Sequence, residues 1–295
     1  MVYVRKMIIL GTEELKQAES VLKQSFPESI KVYGCIFNIN RGKPHNLEVI
    51  ADQWPDFNVI ICKPKVQCFL KNKKKQGTKD REGDFNIYSI YSKSKESLKT
   101  LLDTPGVINK HTFTLLAGID IRHLEAVQEF ADQHGLPWKV QVVMNVLLLQ
   151  DERQLPLKES YAGLRLTPLR AAHAHLVNST WKYGGDSNSY NSVLNYITHN
   201  PSLCVLEEGG TEPVSWLLVY QHAALGLLYT LPQHRRKGYA KLLVSVMAKT
   251  LLERGHPVYC FVEKENDSSY KLFTSLGFQD STDYRAVWFE INKQQ

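Results

Sequence analysis

One stretch constrains this chain more than any other: "LYTLPQHRRKGYAKLLVSVMAKTLLERG", from Leu228 to Gly255. An apolar run ends at Pro232. Arg235, Arg236 and Lys237 follow in a row, then Gly238, a small residue at Ala240, and a long run of helical period. The start of a helix is already the positive end of its dipole, so three cations there are unfavourable unless an anion lies beside them. A strand, a tight glycine loop and a helix start form the recurring geometry for phosphate. The backbone N–H groups from about Arg236 through Lys237, Gly238 and Tyr239 to Ala240 are expected to face one concavity. Gly238 and Ala240 are small enough to let a pyrophosphate approach the backbone. Neither a GxxxxGK[ST] loop nor a GxGxxG turn is present, so this is not a nucleoside triphosphate loop or a dinucleotide turn.

The rest of the chain reads as an α/β series with a mixed sheet and helices on both faces. In the first half, Glu13–Phe26 has helical spacing behind a cap at Thr12, with Glu14 in the first turn. Ile30–Ile39 reads as a strand, Asn46–Trp54 as a short helix and Phe57–Pro64 as a buried strand. The lysine-rich stretch from Cys68 to Asp84 reads as a solvated loop. Phe85–Lys93 alternates and reads as a strand, Lys95–Asp103 and Ile121–Gly135 as amphipathic helices, and Trp138–Gln150 as a strand. Residues 151–163 are polar without a clear period, and the domain boundary is placed there. The second half restarts the series. Strands are expected at Leu164–Leu169, Ser202–Glu208, Glu212–His222, Leu225–Leu231, Pro257–Lys264 and Asp283–Asn292. Helices are expected at Arg170–Trp181, Ser187–Asn200, about His234 to Arg254, and Asn266–Gly277.

The totals exclude several classes. The chain has 295 residues, 43% of them hydrophobic and 22% charged, so it is globular and long enough for two domains. A net charge of +6 suits a phosphorylated ligand but does not argue for nucleic acid. Cys35, Cys62, Cys68, Cys204 and Cys260 have no metal-ligand spacing and read as reduced, mostly buried thiols, so no metal is expected. No apolar run is long enough to span a membrane.

The pattern Arg235-x-x-Gly238-x-Ala240 resembles the acyl-CoA signature (Q/R)xxGx(G/A) of the GCN5-related N-acetyltransferase superfamily. The order that follows fits as well: a helix, a strand, then Asn266, Ser269, Phe273, Gly277 and Phe278. A narrower resemblance runs along nearly the whole chain. Phe26–Cys62, Ser179–Gly185, Pro213–Trp216 and Tyr229–Tyr239 resemble the glycine N-acyltransferase family. That resemblance implies a tandem of acetyltransferase-like domains: a degenerate N-terminal copy over 1–150, which lacks the signature, and a catalytic acyl-CoA-binding domain over 164–295. It implies transfer of an acyl group from acyl-CoA, a co-substrate, to the amine of glycine or a similar amino acid by direct attack. CoA is expected on Leu231, Arg235, Arg236, Lys237, Gly238, Tyr239, Ala240 and Asn266. A mitochondrial setting follows from the resemblance alone, with the cytoplasm or an endoplasmic-reticulum association as alternatives. A monomer is expected.

Amide formation needs a neutral amine, and an α-amine is mostly protonated at pH 7, so a general base helps. The tetrahedral oxyanion needs a donor, expected from the backbone N–H of Thr230 or Leu231. Two side chains depart from the pattern. Ala224 stands where the family carries its base, and Phe273 where the superfamily carries its tyrosine acid. His222 is the nearest substitute base, with a hairpin-turn histidine as the competing reading, and Tyr270 and Tyr229 are lesser candidates. Asn266 serves either the pantetheine arm or a helix N-cap. Trp181, with Gly184 and Gly185, either lines the acceptor site or fills core. Two alternatives stay open: a CoA-binding pseudoenzyme, and an acetyltransferase acting on another amine or a protein N-terminus.

Overall fold

The computed structural model describes residues 7–65, 86–151, 153, 155 and 163–292. The chain divides into two compact units, Met1–Asn145 with Thr282–Gln295, and Val146–Ser281. The lysine-rich stretch expected as a loop lies outside the described residues.

The first unit runs β1 (Ile8–Ile9), α1 (Thr12–Lys23), α2 (Ile30–Asn40), β2 (Leu47–Ala51), β3 (Val59–Pro64) and β4 (Ile87–Ser92). It continues with α3 (Lys95–Asp103), β5 (Thr114–Asp120), α4 (Leu124–Gln133) and β6 (Trp138–Leu148). β1 to β4 pair antiparallel in order, and β5 joins β4 in parallel. Two expectations fail here. Ile30–Asn40 is a helix, not a strand, and residues 47–51 form a strand, not a helix. Nearly every residue of α2 is buried. A helix enclosed on all sides carries no polar face, so its apolar run looks like a buried strand in the sequence. β2 is settled by its partners, with Ile8 opposite Ala51 on one side and Ile61 opposite Ile50 on the other. The cap of α1 is also shifted by one residue. Gly11 is the N-cap, and its N–H donates to Glu14 Oε2 at 3.1 Å, so Thr12 is the first helical residue.

The second unit runs β7 (Leu164–Thr167), α5 (Ala174–Thr180), α6 (Ser187–His199), β8 (Ser202–Glu207), β9 (Ser215–Val219) and β10 (Leu225–Thr230). Then come α7 (Tyr239–Glu253), β11 (Tyr259–Glu263) and α8 (Asp267–Ser275), and the last strand, β12 (Gln279–Ile291), begins in this unit and belongs to the first from Thr282 onward. The second unit repeats the plan of the first: β7 to β10 are antiparallel in order, and β11 joins β10 in parallel. One face of its sheet packs Leu243, Val244 and Met247 of α7 against Cys260, Val262 and Phe273. The other packs Trp216 and Leu218 against Val177, Val193 and Ile197.

Contiguous domains over 1–150 and 164–295 need one correction. The chain's last strand completes the first unit: Ala286 to Ile291 pair antiparallel with Asp120 to Thr114, and Val287, Phe289 and Ile291 lie in that unit's core. The end of β6 goes the other way, with Leu147 and Leu149 in the second unit's core and the Leu149 N–H donating to the Val258 carbonyl at 2.9 Å. A change of composition marks a linker, whereas strand partners are chosen by edges and apolar faces that composition does not record. Cys35, Cys62, Cys204 and Cys260 are free and buried. Among the described residues, no helix is long and apolar enough to cross a membrane, and no group of three or more acidic, His or Cys side chains is placed to hold a metal.

Candidate active site at the splayed strands

β10 is bent by a bulge. Its register against β9 shifts between Gly226 and Tyr229, and Leu227 takes a left-handed φ of 53°. The extra residue re-aims the strand. Against β11 only the pair Leu225–Cys260 is in register, so the two parallel strands part beyond it and leave a cleft open at their carboxyl ends. Of the two expected oxyanion donors, the structure uses one elsewhere. The Leu231 N–H donates to the Val214 carbonyl at 3.0 Å. N–H groups alternate sides along a strand, so that of Thr230 faces away from β9, toward the cleft. The Thr230 hydroxyl sits 2.7 Å from Ser215 Oγ.

Past Thr230 the chain makes a single 3₁₀ turn at Pro232–His234 and reaches Gly238, the N-cap of α7. Gly238 has a φ of 80°, and a Cβ there would meet nothing within 4 Å. Glycine is therefore required by conformation and not by crowding. No side chain caps α7, so the orphan N–H groups of its first turn, including those of Tyr239 and Ala240, point toward open space. Arg236 is also left-handed, at 62°, and the alternation of handedness around Lys237 cups the loop. Arg235 is anchored: its Nε donates to the Thr230 carbonyl at 3.1 Å, and its guanidinium lies over the Tyr229 ring.

Lys237 and the Tyr239 hydroxyl are engaged by a carboxylate of the protein itself and are not turned to the open helix start. Both bond Glu207 Oε1, at 3.0 and 2.8 Å, and His234 Nδ1 lies 2.8 Å from the same oxygen. Lys237, Tyr239 and His234 together hold the Glu207 carboxyl down to about 2. The sequence reading missed Glu207, which ties the loop to the end of β8. Its position after a strand gives no local sign of the contact.

The proton-moving candidates divide. His222 is in the Tyr220–Ala224 hairpin turn, where Tyr220 N–H bonds the Ala224 carbonyl and Ala223 N–H the Tyr220 carbonyl. Its ring stacks on Tyr220, and its carbonyl accepts from the Tyr259 hydroxyl. The turn reading fits this placement. Ala224 is fully buried and Phe273 is core. The Tyr270 hydroxyl donates to Asp280 at 3.1 Å, and Tyr229 stacks on Trp216. Asn266 caps α8, its side chain accepting from the Ser269 N–H at 3.1 Å. Trp181 is partly buried against the core of the second unit.

A second missed group stands at the far end of β11. Tyr259, Phe261 and Glu263 share one face of the strand, and Cys260 and Val262 the other. Glu263 meets the loop between α5 and α6: Tyr183 Oη donates to Glu263 Oε1 at 2.6 Å, and Lys182 Nζ lies 2.5 Å from Oε2. Burial pushes the Glu263 carboxyl up, but the bonds from Lys182 and Tyr183 outweigh it and hold the group below the usual carboxylate range. Burial and Glu263 push the Tyr183 hydroxyl up to about 12. The period-two face of β11 was the available signal.

Comparison with known proteins gives a consistent picture. Residues 7–201 match the family described as aralkyl acyl-CoA:amino acid N-acyltransferase, and residues 203–288 match the FR47-like protein family. A glycine N-acyltransferase of Rattus norvegicus is 32% identical over 284 residues, covering 90% of this chain and 92% of that protein. A glycine N-phenylacetyltransferase of Bos taurus is 30% identical over 284 residues, with the same two shares. Among solved structures, a Drosophila protein superposes with a TM-score of 0.77 at 17% identity, over 97% of this chain and 98% of that one. A tandem GNAT protein of the clavulanic acid biosynthesis pathway does so with a TM-score of 0.55 at 12% identity, over 98% and 99%. These two likenesses concern the fold.

Proposed function

The chain belongs to the aralkyl acyl-CoA:amino acid N-acyltransferase family, and from that premise we propose that it transfers an acyl group from acyl-CoA to the α-amine of glycine or a similar small amino acid. The observation that carries the reading is the uncapped start of α7 beside the splay of β10 and β11. A pyrophosphate fits the open N–H groups at Gly238, Tyr239 and Ala240, with Arg235 and Arg236 adding long-range attraction. The pantetheine arm then enters between β10 and β11, and the Thr230 N–H receives the thioester oxygen as it gains charge. Leu231 and Asn266 act as supports and not as ligands, since Leu231 N–H and the Asn266 side chain are already bonded within the protein. Lys237 holds the loop through Glu207.

The amine attacks the carbonyl carbon, the C–N bond forms, and the C–S bond breaks with loss of the CoA thiolate. That thiolate is a good leaving group and needs little help from an acid, which is compatible with phenylalanine at position 273. The test is release of free thiol from a panel of acyl-CoAs against a panel of amino acids. Release that depends on glycine supports the proposal. Release that is indifferent to the amine, or none with any amino acid, overturns it in favour of a CoA-binding protein without transfer. The family resemblance further supports a mitochondrial setting, to be tested by fractionating cells that express the full chain.

A further inference from the structure

The chain lacks a carboxylate at position 224, yet it places one on the adjacent strand. Leu225 and Cys260 are level with each other. Three residues farther along each strand stand Leu228 and Glu263, past the bulge and on the cleft's open side. Glu263 lies on the same face as Tyr259 and Phe261, the face that also carries Leu227, Tyr229 and the α5–α6 loop. That loop is held by close packing: a Cβ on Gly184 would fall 2.1 Å from the Asn178 carbonyl oxygen, so only glycine lets the chain turn there and bring Lys182 and Tyr183 over Glu263. Lys182 is 65% exposed and Glu263 20%. One partner is free to swing and the other is fixed.

We propose that Glu263 and Lys182 form the clamp for the zwitterion of the acceptor amino acid, with Glu263 taking the ammonium and Lys182 the carboxylate. This rests on the amino acid reading given above. In the empty protein the two side chains satisfy each other, with Tyr183 as third member. An incoming amino acid exchanges one ion pair for two. Once Lys182 turns to the substrate carboxylate, it no longer stabilises the Glu263 anion, and Glu263 becomes the better base. The titratable groups that face Glu263 are Lys182 and Tyr183; its neighbour on the strand face, Phe261, is apolar, and the Tyr259 hydroxyl is engaged with His222. Glu263 then accepts one proton from the ammonium. The neutral amine attacks the thioester carbon, the C–S bond breaks, and the second nitrogen proton leaves with the thiolate as CoA thiol. Glu263 returns its proton to solvent.

The test compares wild type, Glu263→Gln, Glu263→Asp and Lys182→Met by thiol release with glycine and with methylamine, from pH 6.5 to 10, alongside calorimetric CoA binding. We expect Glu263→Gln to keep its CoA affinity and to lose about 10²-fold in kcat for glycine at pH 7. That loss should close as rising pH supplies neutral amine, and Glu263→Asp should restore part of the rate. Lys182→Met should raise KM for glycine about tenfold with no matching rise in KM for methylamine, which has no carboxylate for Lys182 to hold, a split that a structural loss would not give. A Glu263→Gln profile identical to wild type, or a Lys182→Met effect equal for both amines, overturns the clamp while leaving the amino acid reading intact. A wild type that acylates methylamine but no amino acid overturns both.

Discussion

Helix α3 follows β4 after Lys93 and Ser94, whereas helix α7 follows β10 after the longer loop from Leu231 to Gly238. The two stand at the same place in the plan of their units. At α3, Ser94 Oγ accepts from the Ser97 N–H at 3.2 Å and donates to Glu96 at 2.9 Å. Its helix start is closed by its own side chains, with a carboxylate in the first turn. At α7 a glycine leaves the N–H groups open, with Arg235 and Arg236 nearby. The strands differ in the same sense. β4 keeps an unbroken register with β3 and pairs with β5 at Ile87, Tyr88 and Ser89, whereas β10 is bulged and meets β11 at one pair. Two units with one topology therefore differ in whether the backbone's polar groups are spent inside the protein or held out for a ligand.

The sharpest way to break this comparison is Gly238→Asp. A carboxylate then occupies the open helix start, and a non-glycine residue is forced to a φ of 80°. CoA affinity measured by calorimetry should fall at least tenfold, above about 1.4 kcal/mol. Unchanged binding in a folded variant would place the site elsewhere. A smaller loss, about threefold in affinity with a flatter dependence on salt, is expected for Arg235→Ala, because an exposed cation acts mainly through screened attraction. If affinity and salt slope are both unaltered, the arginine serves only to hold Thr230.

The first unit supplies the control. Ser94→Ala should cost about 1 kcal/mol of stability in chemical denaturation and leave CoA affinity untouched; any change in affinity would show that the first unit contributes to binding. The smallest effect concerns Glu207. Its folded pKa, about 2, lies below its ordinary value of 4.5, so the stability it adds is present above pH 4.5 and lost as pH falls toward 2. Replacing it by glutamine should reduce the acid slope of stability across that window. An unchanged slope would mean that the links from Lys237, Tyr239 and His234 do not hold the loop.

The fold and site were legible in the sequence to different depths. The cation-glycine loop, the helix behind it and the missing groups at Ala224 and Phe273 could be read because each is written in contiguous residues. Turn chemistry, helical period and a glycine's left-handed φ depend on near neighbours. α7 starts at Tyr239, five residues after the helix start expected at about His234, because the left-handed Gly238 caps it there, and Asn266 caps a helix as one of its two readings required. Other features had no local signature. α2 reads as a strand in the sequence because burial on all sides removes the polar face that marks a helix. β2 reads as a helix in the sequence, and pairing on both edges makes it a strand. The last strand found its partner in the first unit because Thr114–Asp120 offered an open edge far away in the chain. Lys237 reads as a phosphate ligand in the sequence, and only the approach of β8 gives it to Glu207. Glu263 became a candidate only when the tertiary structure brought Lys182 and Tyr183 across to it. What neighbouring residues enforce on one another is determined along the chain, and tertiary structure decided which distant groups would satisfy them, since a hydrogen bond or ion pair is chosen by distance in space and not along the chain.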